Sequence, residues 1–384
     1  MSRTNKPRPK MTTSEKRLAY FEKMLKRLCT DLGPHPSGTR AYEKATGMFL
    51  REMSTALPVA FLDRYLDFWA MPVPPRILHK GRPLPFGVAE NCAGTSDAGF
   101  SGVIRKIDSD GIPYGIEDVE TGEIAAHTTV SSDVGVEPEY LIGDDVLSLP
   151  RFVTGIRDVP LVELLIADEA QVQVLLRIVF APKIPTYNVV GTLPGESRDE
   201  ILFIAHADSL YMTEGANDNT ATAIILLMLA RALADTTPRC TLTLLISGSE
   251  ECGLMGARHY ARRRVVEGTH RHLKFIVNSD SLTYGPNLWT TTEDKELMAL
   301  VKAIHADLGL NTEPMYSAEP CWMNDASCFE GINSQVRGIN FNSRGHDTLA
   351  ANHTPDDTAD NVPRDCVESS FAVLRELAIR LQEL

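Results

Sequence analysis

From residue 186 to the end of the chain, short and almost wholly apolar segments alternate with longer segments of helical periodicity. Strands of this kind are typical of a sheet that helices cover on both faces. The pattern therefore predicts an α/β fold with a mixed, largely parallel central sheet and helices on both of its faces. The predicted strands are TYNVVGTL (186–193), EILFIAHA (200–207), CTLTLLISG (240–248) and LKFIVNSD (273–280). The predicted helices lie at 220–235, 253–264, 293–309 and 364–384.

The N-terminal part of the chain is helical after a polar start. Residues 1–12 are predicted to form a flexible tail, and SEKRLAYFEKMLKRLCTDLG (14–33) has helical periodicity that stops at its glycine. A second helix follows, with Ser37 or Thr39 as its N-cap.

The composition and pattern of the sequence change between residues 66 and 170. Glycine and proline become more frequent, short β-branched runs appear, and the turn pairs DG and GE separate them. We expect a β-rich insert here, followed by a helix in VPLVELLIADEAQ (159–171). The predicted division is a catalytic domain made of 13–65 and 171–384, interrupted by the insert at 66–170.

The composition excludes several classes of function. Of 384 residues, 43% are hydrophobic and the net charge is −13, as in a globular protein with a core and little affinity for nucleic acid. The basic N-terminus lacks the apolar stretch of a secretory signal, and no run is long enough to span a bilayer. These features predict a cytoplasmic protein without membrane or nucleic-acid partners.

The seven cysteines are scattered and form no CxxC pair, which favours reduced thiols. Cys321 and Cys328 are the only close pair, and a bridge between them stays open.

Histidine and acidic residues repeatedly follow the predicted strands, where functional groups of open α/β sheets gather. Taken singly, each has an ordinary explanation as a polar strand end, a helix cap or a solvated helix start. Together they suit two zinc ions, because zinc binds imidazole nitrogen and carboxylate oxygen and two such ions can share a carboxylate. A spare glutamate could then move protons. The residues are His206, Asp208, Asp218, Glu250, Glu251, Asp280 and His353.

Several motifs resemble, in the same order, those of the M28 family of co-catalytic zinc peptidases. The resemblance covers roughly residues 14–60 and 171–384, and the early LGPHPSGT and TYNVVGTLPG belong to it. The motifs that carry it are AHADS (205–209), GANDNTAT (215–222), SGSEECGLMGARHY (247–260), VNSDS (277–281) and HTPDDTADNV (353–362).

The resemblance implies a zinc-peptidase fold with two zinc ions per chain, for which Co²⁺ or Mn²⁺ could substitute. It implies that Glu250 is the general base and that the carboxylate of Asp208 orients the ring of His206. Asn217 and Asn219 would shape the turn that aims the bridging ligand, or touch substrate. The implied ligands are His206 and Asp280 for one zinc, Glu251 and His353 for the other, and Asp218 for both.

The chain also departs from the family pattern. Ala326 stands where the family often has a histidine, and Asn352 precedes the last ligand where many members have tyrosine. His346 competes with His353 as that ligand, but only His353 lies in the HTPDDT context. Some members carry a protease-associated domain where this chain has its β-rich segment.

The resemblance implies a zinc-dependent peptidase acting on peptide substrates, with an aminopeptidase as the favoured activity. The alternatives are an M28-type carboxypeptidase or dipeptidase, a glutaminyl-cyclase-like acyltransferase with one zinc, and a non-catalytic binding protein. A homo-oligomer is compatible with the sequence, which leaves the oligomeric state and the side-chain specificity open.

Overall fold

The computed structural model describes residues 13–384 except 71–74, 89–91, 110, 132–147, 212, 285–287, 311–314, 319–323, 330, 334 and 344–350. The predicted tail, Cys321 and His346 therefore lie outside the described residues. The helices are α1 Ser14–Leu25, α2 Arg40–Ala56, α3 Val159–Ala167, α4 Ala221–Leu233, α5 Met255–Glu267, α6 Lys295–Leu308 and α7 Arg364–Arg380. The strands are β1 Val59–Ala70, β2 Arg76–His79, β3 Arg82–Pro83, β4 Phe86–Val88, β5 Phe100–Ser109, β6 Ile112–Asp118, β7 Ile124–Ser131, β8 Arg151–Gly155, β9 Gln171–Leu175, β10 Val179–Leu193, β11 Glu200–His206, β12 Thr241–Ser247, β13 Leu273–Ser279, β14 Leu288–Thr291, β15 Met315–Ser317 and β16 Arg337–Ser343.

The first sheet has eight strands in the order β1-β10-β12-β11-β13-β16-β14-β15. Its centre is parallel, because β11 pairs in parallel with β12 and β13, and β13 pairs in parallel with β16. The outer strands β1 and β10 run antiparallel. The carboxyl ends of the four central parallel strands consequently meet at one edge of the sheet.

Helices cover both faces of this sheet. Neighbouring residues of β11 point to different cores: Phe203 packs into the cluster formed with α1, α2, α4 and α7, whereas Ile204 packs against α5. This two-sided burial explains why the strand is a continuous apolar run. Helix α4 is buried nearly all round, as its composition predicts.

The second sheet also has eight strands, in the order β3-β2-β9-β5-β6-β7-β8-β4. Its pairings are antiparallel except between β7 and β8, and its own apolar core includes residues of α3. The mixed α/β class, with a β-rich addition, is thus the one predicted. The sheets do not divide at the predicted boundaries, since β1 carries the first sheet to residue 70 and β9 at 171–175 belongs to the second.

Two local features bear on the predictions. Thr39 is the N-cap of α2, where its hydroxyl accepts a hydrogen bond from the backbone N–H of Tyr42 at 3.1 Å. No helix within the described ranges is long and apolar enough to cross a membrane.

Candidate metal centre

The parallel register brings the predicted site residues to one edge of the first sheet. His206 is the last residue of β11 and pairs with Ser247, the last residue of β12. Glu250 and Glu251 follow β12 after a short turn, and Asp280 directly follows β13. Topology alone therefore gathers one imidazole and three carboxylates.

His206 lies among three carboxylates. Its Nε2 atom is 3.2 Å from Oδ1 of Asp218, 3.6 Å from Oδ1 of Asp280 and 3.9 Å from Oε2 of Glu250. His206, Glu250 and Asp280 present ligand atoms that all lie within 4.8 Å of one another, and so do His206, Asp218 and Glu251.

His353 approaches from a separate loop. Its Nε2 atom is 3.1 Å from Oδ2 of Asp218 and 3.4 Å from Oε2 of Glu251. The two carboxylate oxygens of Asp218 therefore face two different histidines. This arrangement is what a carboxylate shared by two metal ions requires.

Asp208 supports the site mainly through the main chain. Its two carboxylate oxygens accept hydrogen bonds from the backbone N–H groups of Glu250 and Glu251, each at 3.2 Å. The Nδ1 atom of His206 lies 3.2 Å from the main-chain oxygen of Asp208 and 3.6 Å from its carboxylate. Ring orientation thus rests more on the carbonyl of Asp208 than on the predicted carboxylate.

The turn before α4 is tightly held by amide side chains. Asn217 accepts a hydrogen bond from the hydroxyl of Thr283 at 2.8 Å. Asn219 donates to the carbonyl of Ser279 at 3.1 Å and accepts from the backbone N–H of Ser281 at 3.1 Å, so it flanks Asp280 on both sides. Both asparagines are buried, which favours the turn-shaping role over contact with substrate.

Sequence reasoning missed two buried carboxylates, Asp325 and Asp357. Asp325 accepts a hydrogen bond from the hydroxyl of Ser247, and burial raises its pKa to about 7. Asp357 accepts hydrogen bonds from the Asn217–Asp218 main chain, and burial raises its pKa to about 6. In the sequence these residues are the second aspartate of HTPDDT and the aspartate of NDASCF. Both resemble ordinary loop residues, so the sequence alone does not indicate that they are buried.

The departures from the family pattern have defined surroundings. The side chain of Asn352 accepts a hydrogen bond from the hydroxyl of Tyr284 at 2.9 Å. The backbone N–H of Ala326 donates to the side-chain oxygen of Asn324 at 2.8 Å.

The cluster is strongly acidic and suited to cations. Burial raises the pKa of Glu251 to about 8, and burial likewise raises the pKa of Glu250 well above its usual range. Burial also acts to raise the pKa of Asp218, but hydrogen bonds with His206 and His353 outweigh it and lower that pKa. Crowded carboxylates of this kind are held together most readily by a cation.

The donor set fits zinc. Two imidazole nitrogens and several carboxylate oxygens are the ligands that zinc accepts. In the described part of the chain, Oε1 of Glu251 is buried and has no hydrogen-bond partner. A buried carboxylate oxygen without a donor is costly, and a bound cation would remove that cost.

Comparisons with known proteins bear on the family and the fold. Residues 188–378, which contain the whole site, match the model of peptidase family M28. An aminopeptidase of Pseudomonas aeruginosa (strain UCBPP-PA14) is 33% identical over 101 residues, which are 26% of this chain. The match spans about a fifth of that relative's length (19%).

Solved structures show the same fold. BSAP, a zinc aminopeptidase from Bacillus subtilis, has a TM-score of 0.73 at 17% identity, with 95% of each chain covered. The peptidase M28 precursor from Shewanella amazonensis SB2B has a TM-score of 0.71 at 18% identity, covering 96% of this chain and 95% of that one. The family model and the fold agree, and the chain belongs to peptidase family M28.

Proposed function

We propose that this protein is a di-zinc aminopeptidase, which hydrolyses the first peptide bond of a peptide with a free N-terminus. The observation that carries the proposal is the position of Asp218 between two histidines, with its oxygens 3.2 Å from His206 and 3.1 Å from His353. Each histidine has a further carboxylate beside it, Asp280 for the first and Glu251 for the second. One metal would be held by His206, Asp218 and Asp280, and the other by Glu251, His353 and Asp218.

Zinc bound there supplies a Lewis acid that polarises the scissile carbonyl and increases the acidity of water. Glu250 is the proposed proton carrier, since it lies beside His206 and Asp280 but is farther from His206 than Asp218 and Asp280, which would complete the first ligand set. Its carboxylate takes a proton from water as the oxygen attacks the carbonyl carbon. The same carboxyl group then returns the proton to the leaving amine as the C–N bond breaks. One water is consumed, and one carboxylic acid and one amine are formed.

The charge of the site favours an amine as the recognised terminus. Six carboxylates surround the centre, from Asp208, Asp218, Glu250, Glu251, Asp280 and Asp325. In the ranges that the structure describes, no lysine or arginine forms an ion pair with them, whereas binding a substrate's terminal carboxylate would call for such a cation. A free α-ammonium group suits the acidic surroundings, which supports an aminopeptidase over a carboxypeptidase.

The second set of donors also separates this proposal from a one-zinc, glutaminyl-cyclase-like enzyme. Glu251 and His353 provide ligands that a single metal at His206 and Asp280 would leave unused. Metal content therefore distinguishes the two functions.

The test compares matched substrates that differ only at the N-terminus. Aminoacyl p-nitroanilides and short peptides are offered with a free or an acetylated amine to the zinc-loaded protein, to the chelated protein and to the protein after zinc is restored. We expect two zinc ions per chain by elemental analysis, cleavage of free-amine substrates only, and loss and recovery of activity with zinc. Equal cleavage of acetylated substrates would overturn the aminopeptidase assignment, and one zinc per active chain would overturn the di-zinc centre.

A further inference from the structure

The motif HTPDDT contains two adjacent aspartates with opposite surroundings. The side chain of Asp356 is 61% exposed and pairs with Arg157 at 3.1 Å. The neighbouring Asp357 is fully buried. Nothing in the proposed chemistry requires a carboxylate at position 357, because it is not among the groups that present ligand atoms.

The carboxylate of Asp357 binds the main chain that carries Asp218. Its Oδ1 atom accepts hydrogen bonds from the backbone N–H of Asn217 at 2.7 Å and from the side-chain amide of Asn217 at 3.1 Å. Its Oδ2 atom accepts the backbone N–H of Asp218 at 3.0 Å. Hydrogen bonds from N–H groups to a buried carboxylate are stronger than neutral ones and fix geometry.

A second contact joins the same two loops. The hydroxyl of Thr213 donates to the main-chain carbonyl of Asp357 at 3.4 Å and accepts the backbone N–H of Gly215 at 3.0 Å. The loop of His353 is therefore tied to both ends of the turn that delivers Asp218. These hydrogen bonds connect the chain segments of Asp218 and His353, whose side chains approach to 3.1 Å.

We propose that Asp357 is a positioning residue for the metal centre. It fixes the main chain of Asp218 against the loop of His353, so that one carboxylate can face both histidines at once. The inference rests on the proposed di-zinc site and assigns Asp357 a role in metal affinity beyond a contribution to folding. Because Asp218 is the shared ligand, loss of this support should weaken both metal sites together. Partners that orient ligands typically change metal affinity about 10- to 100-fold.

The experiment uses the full chain and the variant Asp357→Asn, with Asp356→Asn as the matched control. Asparagine keeps the size of the side chain but can turn an amide toward the N–H of Asp218, where the carboxylate now accepts. Zinc is titrated against a chromophoric chelator, and Co²⁺ is titrated while its visible absorption is recorded. The apo proteins are also unfolded thermally, so that affinity and stability are measured separately.

For Asp357→Asn we expect both dissociation constants to rise about 10- to 100-fold in folded protein, with altered Co²⁺ absorption. Asp356→Asn should leave both constants within about twofold of wild type, because its exposed partner lies outside the centre. Unchanged metal affinity in folded Asp357→Asn, or weakening of one site alone, would overturn the proposal.

The variant Thr213→Val keeps the experiment decisive if Asp357→Asn does not fold. It removes the second tie between the loops at nearly constant volume, and it should weaken both metals in the same sense by a smaller factor. Unchanged affinity in that variant would then count against the proposal. Wild-type protein that fails to bind two metals would instead refute the proposed function itself, so the two failures are distinct.

Discussion

The two sheets have equal numbers of strands, yet only one carries the candidate site. All seven residues of β11 are buried, and β12 and β13 are nearly as enclosed. In the second sheet, β9 alternates buried and more exposed residues, as expected for an antiparallel sheet with one solvated face. Within the described residues, both groups of potential metal ligands lie at the first sheet. Parallel strands explain the difference, because their carboxyl ends come together at one edge.

The second sheet nevertheless touches the loops of the metal centre. Tyr211, between Asp208 and Asp218, and Cys252, next to Glu251, pack against its apolar core. The ion pair of Arg157 with the loop of His353 is exposed and should add little to this support. The core of the second sheet therefore helps to fix loops that follow strands of the first sheet.

The largest contrast between the sheets should appear in catalysis. Glu250→Gln removes the proposed proton carrier and keeps its size, so kcat should fall about 10²- to 10⁴-fold. Both metals should remain bound, because the glutamate is not a proposed ligand. The matched control is Glu163→Gln on α3 of the second sheet. It loses the ion pair with Lys106 but keeps an oxygen that can accept from the hydroxyl of Tyr114, and it should leave kcat unchanged. Near-normal turnover of Glu250→Gln with both zinc ions present would show that another group moves the proton.

The same contrast explains what could be predicted from the sequence. Strands buried on both faces are continuous apolar runs, so β11, β12 and β13 were predictable within a residue or two. Strand β16, RGINFNS, has no such run. Its Asn340 is buried through a hydrogen bond with Asn278 at 2.7 Å, a partner 62 positions away, and local periodicity carries no trace of that pairing.

The site divides in a similar way. Candidate ligands that follow apolar strands could be predicted, because their place in the fold follows from the strands. Asp357 could not, since its burial depends on Asn217 and Asp218, which lie about 140 positions earlier. A buried loop carboxylate is recognisable only when its distant donors are known.

The next largest effect concerns whether the apolar cores of the two sheets unfold together. Phe203→Ala in the first core and Phe152→Ala in the second should each cost about 3–5 kcal/mol of unfolding free energy, since both side chains are almost fully buried. Calorimetry with and without zinc measures whether the losses appear in one transition. Because Tyr211 and Cys252 join the cores, we expect a single transition that zinc raises in both variants. Two transitions, of which zinc moves only the one lowered by Phe203→Ala, would show that the sheets unfold independently.

Breaking an ion pair should cost more stability at the first sheet than at the second, and this difference is smaller than the preceding effects. Arg264 and Glu200 form a buried bidentate pair at 2.8 and 2.5 Å beside the first sheet. Arg264→Met leaves the carboxylate uncompensated and should cost about 3 kcal/mol, the lower end for breaking a buried pair. Arg105 and Glu117 on the second sheet are partly exposed and 3.3 Å apart, so Arg105→Met should leave the urea midpoint unchanged. Equal shifts in the two urea titrations would contradict this difference in burial.

The smallest difference lies at the helix starts beside the two sheets. Thr39 caps α2 with its hydroxyl, whereas Asp158 precedes α3 without a side-chain capping bond. Thr39→Ala should therefore cost about 1 kcal/mol, because the N–H of Tyr42 loses its acceptor. Asp158→Ala removes no such bond, and its carboxylate lies 3.9 Å from Arg157, too far for a hydrogen bond. Urea unfolding of Thr39→Ala and Asp158→Ala measures the two losses of stability. A loss of stability in Asp158→Ala as large as that in Thr39→Ala would mean that helix-dipole attraction, rather than the capping bond, governs these helix starts.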